Sequence, residues 1–297
     1  MSRRIRIGVV GCGKMGSIHT ANLHQQPEVS ISALYDPRRE WAERLNHRLG
    51  LNAVLCNSLE EVFDRTFAVV VATSPDKIAD VAETAAIAGK HIFCEKPPGL
   101  SLEEAGRIES SVRGAGITCD FDFQYDLDPA AQHIGELLHQ GQLGAVSMVS
   151  FSHHNEDDTG DPEQARKIIA RLHKETPFLD SGIHRTRQVE RWFGPGEIKA
   201  TGGCAIRTNP ALPGPNVQSG WMITRHEGSQ VMTFLDITWF APGARKSRRD
   251  FNLDSPIHPY WILIGTNRSL AGIMWRGQEL CPRPWSLTAI YLNTFEW

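Results

Sequence analysis

The stretch Ile5-Arg6-Ile7-Gly8-Val9-Val10-Gly11-Cys12-Gly13-Lys14-Met15-Gly16 decides the fold. Its β-branched first half predicts a strand, and its second half is G-x-G-x-x-G leading into a helical pattern from Ser17 to about Gln26. In that context the three glycines have separate tasks. Gly11 makes the tight turn, Gly13 lets backbone approach a pyrophosphate, and Gly16 lets the helix pack closely on the strand. Lys14 and Met15 share the loop and are expected beside the ligand. A second strand, Val29 to Tyr35, ends at Asp36, 20 positions beyond Gly16, where a carboxylate accepts hydrogen bonds from an adenosine ribose. These residues together predict a doubly wound, dinucleotide-binding sheet.

Asp36 points to NAD, since a carboxylate repels a 2′-phosphate. Arg38 and Arg39, at the start of the next helix (Pro37 to about Leu49), either clamp such a phosphate, which keeps NADP open, or are solvated charges on an exposed face. Further along, the βα alternation continues with a short strand Ala53 to Leu55, a helix capped by Ser58, and a strand Phe67 to Ala72. Thr73-Ser74-Pro75-Asp76 then opens a helix through Ala88; Thr73 and Ser74 either touch the cofactor or cap that helix.

Gly89-Lys90-His91-Ile92-Phe93-Cys94-Glu95-Lys96-Pro97-Pro98 is the second decisive stretch. His91 to Cys94 reads as a buried strand that delivers Glu95 and Lys96 to its carboxyl end, where ligands bind in such sheets. A lysine there, followed by a proline of fixed φ, can aim a positive charge at a developing alkoxide. Ser101 and Glu104 have capping-box spacing for a helix to about Arg113, and Ile117 to Asp122 supplies a sixth strand.

Composition narrows the rest. With 297 residues the chain has room for two domains, and the residues divide it at 1–122 and 123–297. A net charge of -3, from 31 basic and 34 acidic side chains without a long single-sign block, gives no footprint for nucleic acid or an anionic membrane. The six cysteines show no C-x-x-C pair, which reads as reduced, mostly buried thiols in a cytoplasmic protein. Ser2-Arg3-Arg4 looks like the opening of a twin-arginine signal, but Arg6 and Gly8 interrupt any apolar h-region. No apolar run approaches the roughly 20 residues of a membrane helix.

The fingerprint Gly11-x-Gly13-x-x-Gly16, the phrase Ala88 to Pro97 with Glu95-Lys96-Pro97, and Asp180-Ser181-Gly182-Ile183-His184 resemble the glucose-fructose oxidoreductase and inositol dehydrogenase family, Gfo/Idh/MocA. The resemblance runs from the first strand to about residue 275. It implies a Rossmann domain followed by an α/β domain whose open, mostly antiparallel sheet commonly forms an oligomer interface. A homodimer or homotetramer through that sheet is expected. It also implies hydride transfer between NAD(P) and a secondary carbinol of a sugar, inositol or related polyol.

In the second half, Asp128-Pro129 opens a helix to about Gln140, and Val146 to Ser152 reads as the entry strand of the second sheet. His153-His154-Asn155-Glu156-Asp157-Asp158 is rich in potential metal ligands, but consecutive strand residues face opposite ways, so a polar loop at the cleft mouth is preferred and no metal site is assigned. His153, Gln124 and Tyr125 remain substrate candidates. Asp180 and His184 fall one turn apart on one face of a helix expected from about Thr176 to Trp192. Such a pair is either a plain helix contact or catalytic machinery, and the D-x-G-x-H context favours the latter. His184 is then the proton acceptor, Asp180 its orienting or hydroxyl-binding partner, and Lys96 the group that stabilises the oxygen. Later strands are expected at Lys199 to Arg207, Val217 to Arg225 (with Ser219-Gly220 interrupting), Gln230 to Trp239 and Trp261 to Gly265.

Several residues depart from the family pattern. Ala79 stands where histidine is frequent, Phe123-Gln124-Tyr125-Asp126 where arginine is frequent, and Arg187 where aspartate is frequent. The chain also stops at Trp297, where family members usually continue with a further helix and strand. These departures leave two other readings open: reduction of an unrelated carbonyl or unsaturated substrate, and a non-catalytic dinucleotide-binding regulator.

Overall fold

The computed structural model describes residues 4–156, 163, 170, 176–206, 217–226, 228, 230–240, 261–265, 269–275 and 286–292. The chain divides into two compact units, Met1–Asp122 and Phe123–Trp297.

The first unit alternates strand and helix. β1 (Ile5–Val10), α1 (Lys14–His24), β2 (Val29–Tyr35), α2 (Arg39–Leu49), β3 (Val54–Leu55) and α3 (Leu59–Arg65) form its first half. β4 (Ala68–Val71), α4 (Pro75–Ile87), β5 (His91–Cys94), α5 (Leu102–Ala115) and β6 (Cys119–Phe121) form its second. The six strands pair in parallel in the order β3-β2-β1-β4-β5-β6. Chain order reverses between β1 and β4, so their carboxyl ends flank the topological switch point. Val69 and Val71 face a core with Ile78, Ala82 and Ile108, while Val9 and Val70 face one with Leu34, Ala42 and Leu45. Burial on both faces explains why β4 is a continuous run of valine rather than an alternation.

Punctuation follows the sequence closely here. Ser58 and Ser101 each accept a hydrogen bond from the third residue of their helices, at 3.3 and 3.2 Å. The expected capping box of α5 differs in one respect: Glu104 reaches past the cap and accepts from the Leu100 N–H at 2.6 Å. Ser74 stands at the N-cap of α4 but makes no side-chain capping bond. The Lys96–Pro97 peptide bond is cis.

The second unit opens with a 3₁₀ turn, Gln124–Leu127, and α6 (Pro129–His139). β7 (Val146–Glu156) follows, and further along the chain a π-helical segment, Phe178–Gly182, leads directly into α7 (Ile183–Phe193). β8 (Glu197–Ile206), β9 (Val217–His226), β10 (Val231–Phe240), β11 (Trp261–Gly265), β12 (Ser269–Trp275) and β13 (Ser286–Leu292) complete a seven-stranded sheet in the order β13-β12-β11-β7-β10-β9-β8. Among the described strands of this sheet β7 and β10 pair in parallel and the other pairings are antiparallel.

Three expectations need correction in this unit. β7 runs on to Glu156, so His153 to Glu156 continue a strand paired with Ile237 to Phe240 and are not a loop. The single helix expected from Thr176 begins instead with the π-helical segment. β9 passes unbroken through Ser219-Gly220, because Gly220 is a packing requirement and not a break: a Cβ there would lie 2.5 Å from the Phe178 ring. Strands β12 and β13 were not foreseen.

On β10, Val231, Thr233, Leu235 and Ile237 are buried beneath the helices. Their alternates Met232 and Phe234 are 39 and 36% exposed, as are Met148 and Trp221 at 37 and 38%. One face of the sheet is thus core and the other carries exposed apolar side chains.

Candidate functional site

In the first unit two of the fingerprint glycines, Gly11 and Gly16, are held by sterics that admit nothing larger. Gly11 has φ +92°, and a Cβ on it would meet the Ala72 carbonyl oxygen at 2.4 Å. A Cβ on Gly16 would lie 1.8 Å from the Gly11 carbonyl oxygen, so the α1 backbone sits directly on the turn. Gly13 is the N-cap of α1, whose first turn holds no acidic residue, leaving its N–H groups and dipole open to an anion. Lys14 is exposed and Met15 half-buried in that first turn.

Asp36 is buried and ties the loop to β2. Its Oδ2 accepts from the Cys12 N–H and its Oδ1 from the Arg38 N–H, both at 2.9 Å. Burial and the nearby Asp36 charge push the Cys12 thiol up to about 12, so a neutral thiol and not a thiolate sits beside that carboxylate. The Arg38 guanidinium stacks over Trp41 at 3.6 Å, with Nε 3.9 Å from Asp36. Arg39 turns away to Glu43 and Asn57, at 3.1 and 2.7 Å, which removes it from the pair of candidate phosphate clamps. A groove of about 830 Å³ opens here, with Gly13, Lys14, Trp41 and Arg44 among its walls.

At the end of β4, the Thr73 hydroxyl oxygen is buried and has no hydrogen-bond partner within the protein. Ser74 beside it is exposed. A buried unpaired hydroxyl costs about 1–3 kcal/mol unless a ligand satisfies it. Together with the glycine cradle and the open N-terminus of α1, that hydroxyl makes the residues present fit a dinucleotide.

Lys96 is half-buried at the carboxyl end of β5. Glu95, expected among the cofactor contacts, lies buried, and its Oε1 is 2.7 Å from His19 Nε2 on α1. His19 Nε2 is also 3.7 Å from Asp122 Oδ2, just past β6. His19, Glu95 and Asp122 bring their side-chain atoms within 4.8 Å of one another. Nothing in the sequence singled out His19 or Asp122, because they converge only when α1, β5 and β6 assemble. Burial, then the Glu95 charge, hold the Asp122 carboxyl above its ordinary range, opposed by His19; a hydrogen bond to Glu95 raises it further and Lys96 opposes.

In the second unit, Asp180 lies in the π-helical segment, and Ser181 Oγ donates to its Oδ2 at 3.3 Å. His184 follows in the first turn of α7 and is 7% exposed. Its ring meets Tyr125 edge-on at 5.0 Å and Phe123 at 6.0 Å. Tyr125 is therefore brought to His184, while Gln124 points to solvent on the 3₁₀ turn. The backbone of His153 lies in β7; its side chain is outside the described residues. Phe178 wedges this helix onto the sheet, 3.0 Å from a Cβ built on Gly182 and 2.5 Å from one built on Gly220. The glycine of D-x-G-x-H is thus a packing residue that sets the depth of Asp180 and His184.

Sequence reasoning missed Arg185, which is 1% exposed. Its guanidinium lies 4.2 Å from the Tyr125 ring centre and donates to Gln188 Oε1 at 2.6 Å. Burial lowers it to about 10, against the opposing pull of Tyr125 and Asp128. An arginine beside His184 gave no periodic signal of burial, since the hydrophobic pattern assigns charges to the outer face. The two departures at Asp126 and Arg187 are one feature: Arg187 Nε and Arg191 Nη1 both contact Asp126 Oδ2, at 3.2 and 3.0 Å.

Among the described residues five cysteines are free thiols, with Cys12, Cys56 and Cys94 buried and Cys204 exposed. No helix among them is long and apolar enough to cross a membrane.

Residues 5–123 match the model of a family described as an oxidoreductase family with an NAD-binding Rossmann fold. A scyllo-inositol 2-dehydrogenase (NAD(+)) of Bacillus subtilis is 28% identical over 215 residues, 71% of this chain and 60% of the relative. A myo-inositol 2-dehydrogenase of Thermotoga maritima is 28% identical over 203 residues, 65% of this chain and 59% of the relative. The matched part of the chain thus spans about three-fifths of the length of these relatives. Among solved structures, scyllo-inositol dehydrogenase from Lactobacillus casei with bound NAD(H) and scyllo-inositol superposes with a TM-score of 0.71. That alignment covers 95% of this chain and 82% of the other at 20% identity, which speaks for the fold alone.

Proposed function

The chain belongs to the Gfo/Idh/MocA oxidoreductase family through the NAD-binding Rossmann fold of residues 5–123, and from that premise we propose that it oxidises a secondary carbinol of an inositol, sugar or related polyol, or reduces the matching ketone. The observation that carries the reading is Lys96, half-buried at the carboxyl end of β5, next to β4 whose end holds the unpaired Thr73 hydroxyl. The inositol dehydrogenases among its relatives support the substrate class.

Gly11, Gly13 and Gly16 admit the pyrophosphate, Asp36 receives the ribose hydroxyls, and Thr73 and Ser74 flank the path toward β5. Bound there, the nicotinamide supplies the hydride acceptor. Lys96 Nζ holds the substrate oxygen as it gains negative charge, and His184 takes the hydroxyl proton. Asp180 orients His184 or binds a neighbouring hydroxyl. Asp36 favours NAD; Arg38, already stacked on Trp41 and near that carboxylate, is the residue through which NADP is tolerated. The exposed apolar face with Met148, Trp221, Met232 and Phe234 serves a homo-oligomer, which light scattering on the purified chain tests.

The testing experiment is nicotinamide absorbance at varied NAD or NADP with inositols, aldoses and sugar acids, for the native chain and Lys96→Ala. Turnover by the native chain and about a hundredfold less by the variant, at similar cofactor affinity, is the expected result.

A further inference from the structure

His19, Glu95 and Asp122 come from α1, β5 and β6 and meet next to Lys96, with side-chain exposures of 12, 8 and 14%. We propose that His19 is a positioning residue for Lys96: it anchors Glu95, the residue before the lysine, and together with Asp122 governs the charge that the lysine ammonium faces. The inference rests on the role given to Lys96 above.

The geometry supplies each part. His19 Nε2 is 2.7 Å from Glu95 Oε1, and the residue that follows Glu95 is Lys96, so the imidazole fixes the segment that carries the ammonium. The His19 ring stands edge-on to Phe93 at 5.2 Å, which restrains it on its other side. Asp122 hydrogen-bonds Glu95, and burial, the Glu95 charge and that bond together hold the Asp122 carboxyl above its ordinary range.

The groups facing Asp122 are Glu95, His19 and Lys96. Glu95 is faced by His19, Asp122 and the Cys94 thiol, which burial pushes well up and keeps neutral. Two basic side chains and one carboxyl therefore bear on Asp122, from α1 and from the end of β5. With the proton in place, Lys96 faces one anion fewer and its charge is directed to the substrate oxygen. Once the proton leaves, the Asp122 carboxylate competes for that ammonium. His19 opposes the rise of the Asp122 carboxyl, so His19 sets the pH at which the competition begins.

The test titrates the carboxyl carbon of Asp122 by ¹³C NMR in the full chain, assigned by its loss in Asp122→Asn, with and without His19→Gln. Glutamine keeps a donor for Glu95 and removes the ring charge. The expected result is an upward move of the Asp122 midpoint by about one pH unit. The limb of the kcat profile that Asp122→Asn abolishes should move with it, while dinucleotide Kd stays within about twofold. An unmoved midpoint in a folded His19→Gln chain overturns the proposal, as does a loss of kcat that is uniform in pH. If His19→Gln does not fold, His19→Asn and the Asp122→Asn profile decide it in the same way. A moved midpoint in a chain that turns over no polyol sustains the cluster and overturns the reaction, which keeps the two readings separable.

Discussion

The first unit places its candidate groups at strand ends, where the chain must turn; the second places them on a helix whose depth is set by a distant glycine. Gly11 and Asp36 follow directly on their strands, Thr73 and Lys96 come one residue later, and local sterics fix the turn at Gly11. His184 and Asp180 owe their position to Phe178 against Gly220, 42 residues away in sequence, and to Tyr125 and Arg185. The difference teaches that a binding loop can be specified by a few neighbouring residues, whereas a helical constellation is specified by the packing beneath it.

The sharpest way to break that comparison is Gly16→Ala. With its new Cβ 1.8 Å from the Gly11 carbonyl oxygen, the turn must open, and dinucleotide affinity should fall about a hundredfold or the first unit should unfold. Fluorescence titration with NADH and thermal denaturation check it; unchanged affinity would contradict the cradle. His184→Ala comes next. It should lower kcat by about a hundredfold or more and leave NADH binding intact, because a general base is lost and the cradle is not.

Gly220→Ala sharpens the contrast from the other side. Its Cβ meets Phe178 at 2.5 Å, and overpacking of this kind costs about 1–3 kcal/mol. Denaturant unfolding should show that loss with kcat reduced, while NADH affinity holds.

These outcomes bear on what the sequence could tell. The strand-glycine-helix order, the acid after β2 and the lysine after β5 were legible because each is a local pattern with one steric solution. The π-helical segment was not, since a period of 3.6 read through Asp180 and His184 describes an α-helix as well. His19 and Asp122 stayed hidden because three elements must assemble before their side chains meet. Arg185 was hidden by its charge, and β7 was cut short at Ser152 because His153 to Glu156 look like a solvated loop. Gly220, read as an interruption, turned out to be the seat of Phe178.

The smallest effect concerns pH. Asp122 has a carboxyl held above its ordinary value of 3.8, so the folded state binds its proton more tightly than the unfolded chain does. That stability is fully present below the unfolded value and is lost as pH rises through the folded one. Asp122→Asn keeps a neutral partner for Glu95 and should flatten this part of the Tm against pH curve by a few degrees. An unchanged curve would mean that the Asp122 carboxyl is not held above its ordinary range.

The central claim is that the first unit binds the dinucleotide and Lys96 turns that binding into hydride transfer. Its most direct test is nicotinamide absorbance on mixing the native chain with NAD and a panel of inositols, with Lys96→Ala alongside. The expected result is reduction by the native chain with at least one polyol and about a hundredfold loss in the variant at equal NADH affinity. Bound NADH with no turnover across the panel, or equal turnover by both proteins, would contradict it.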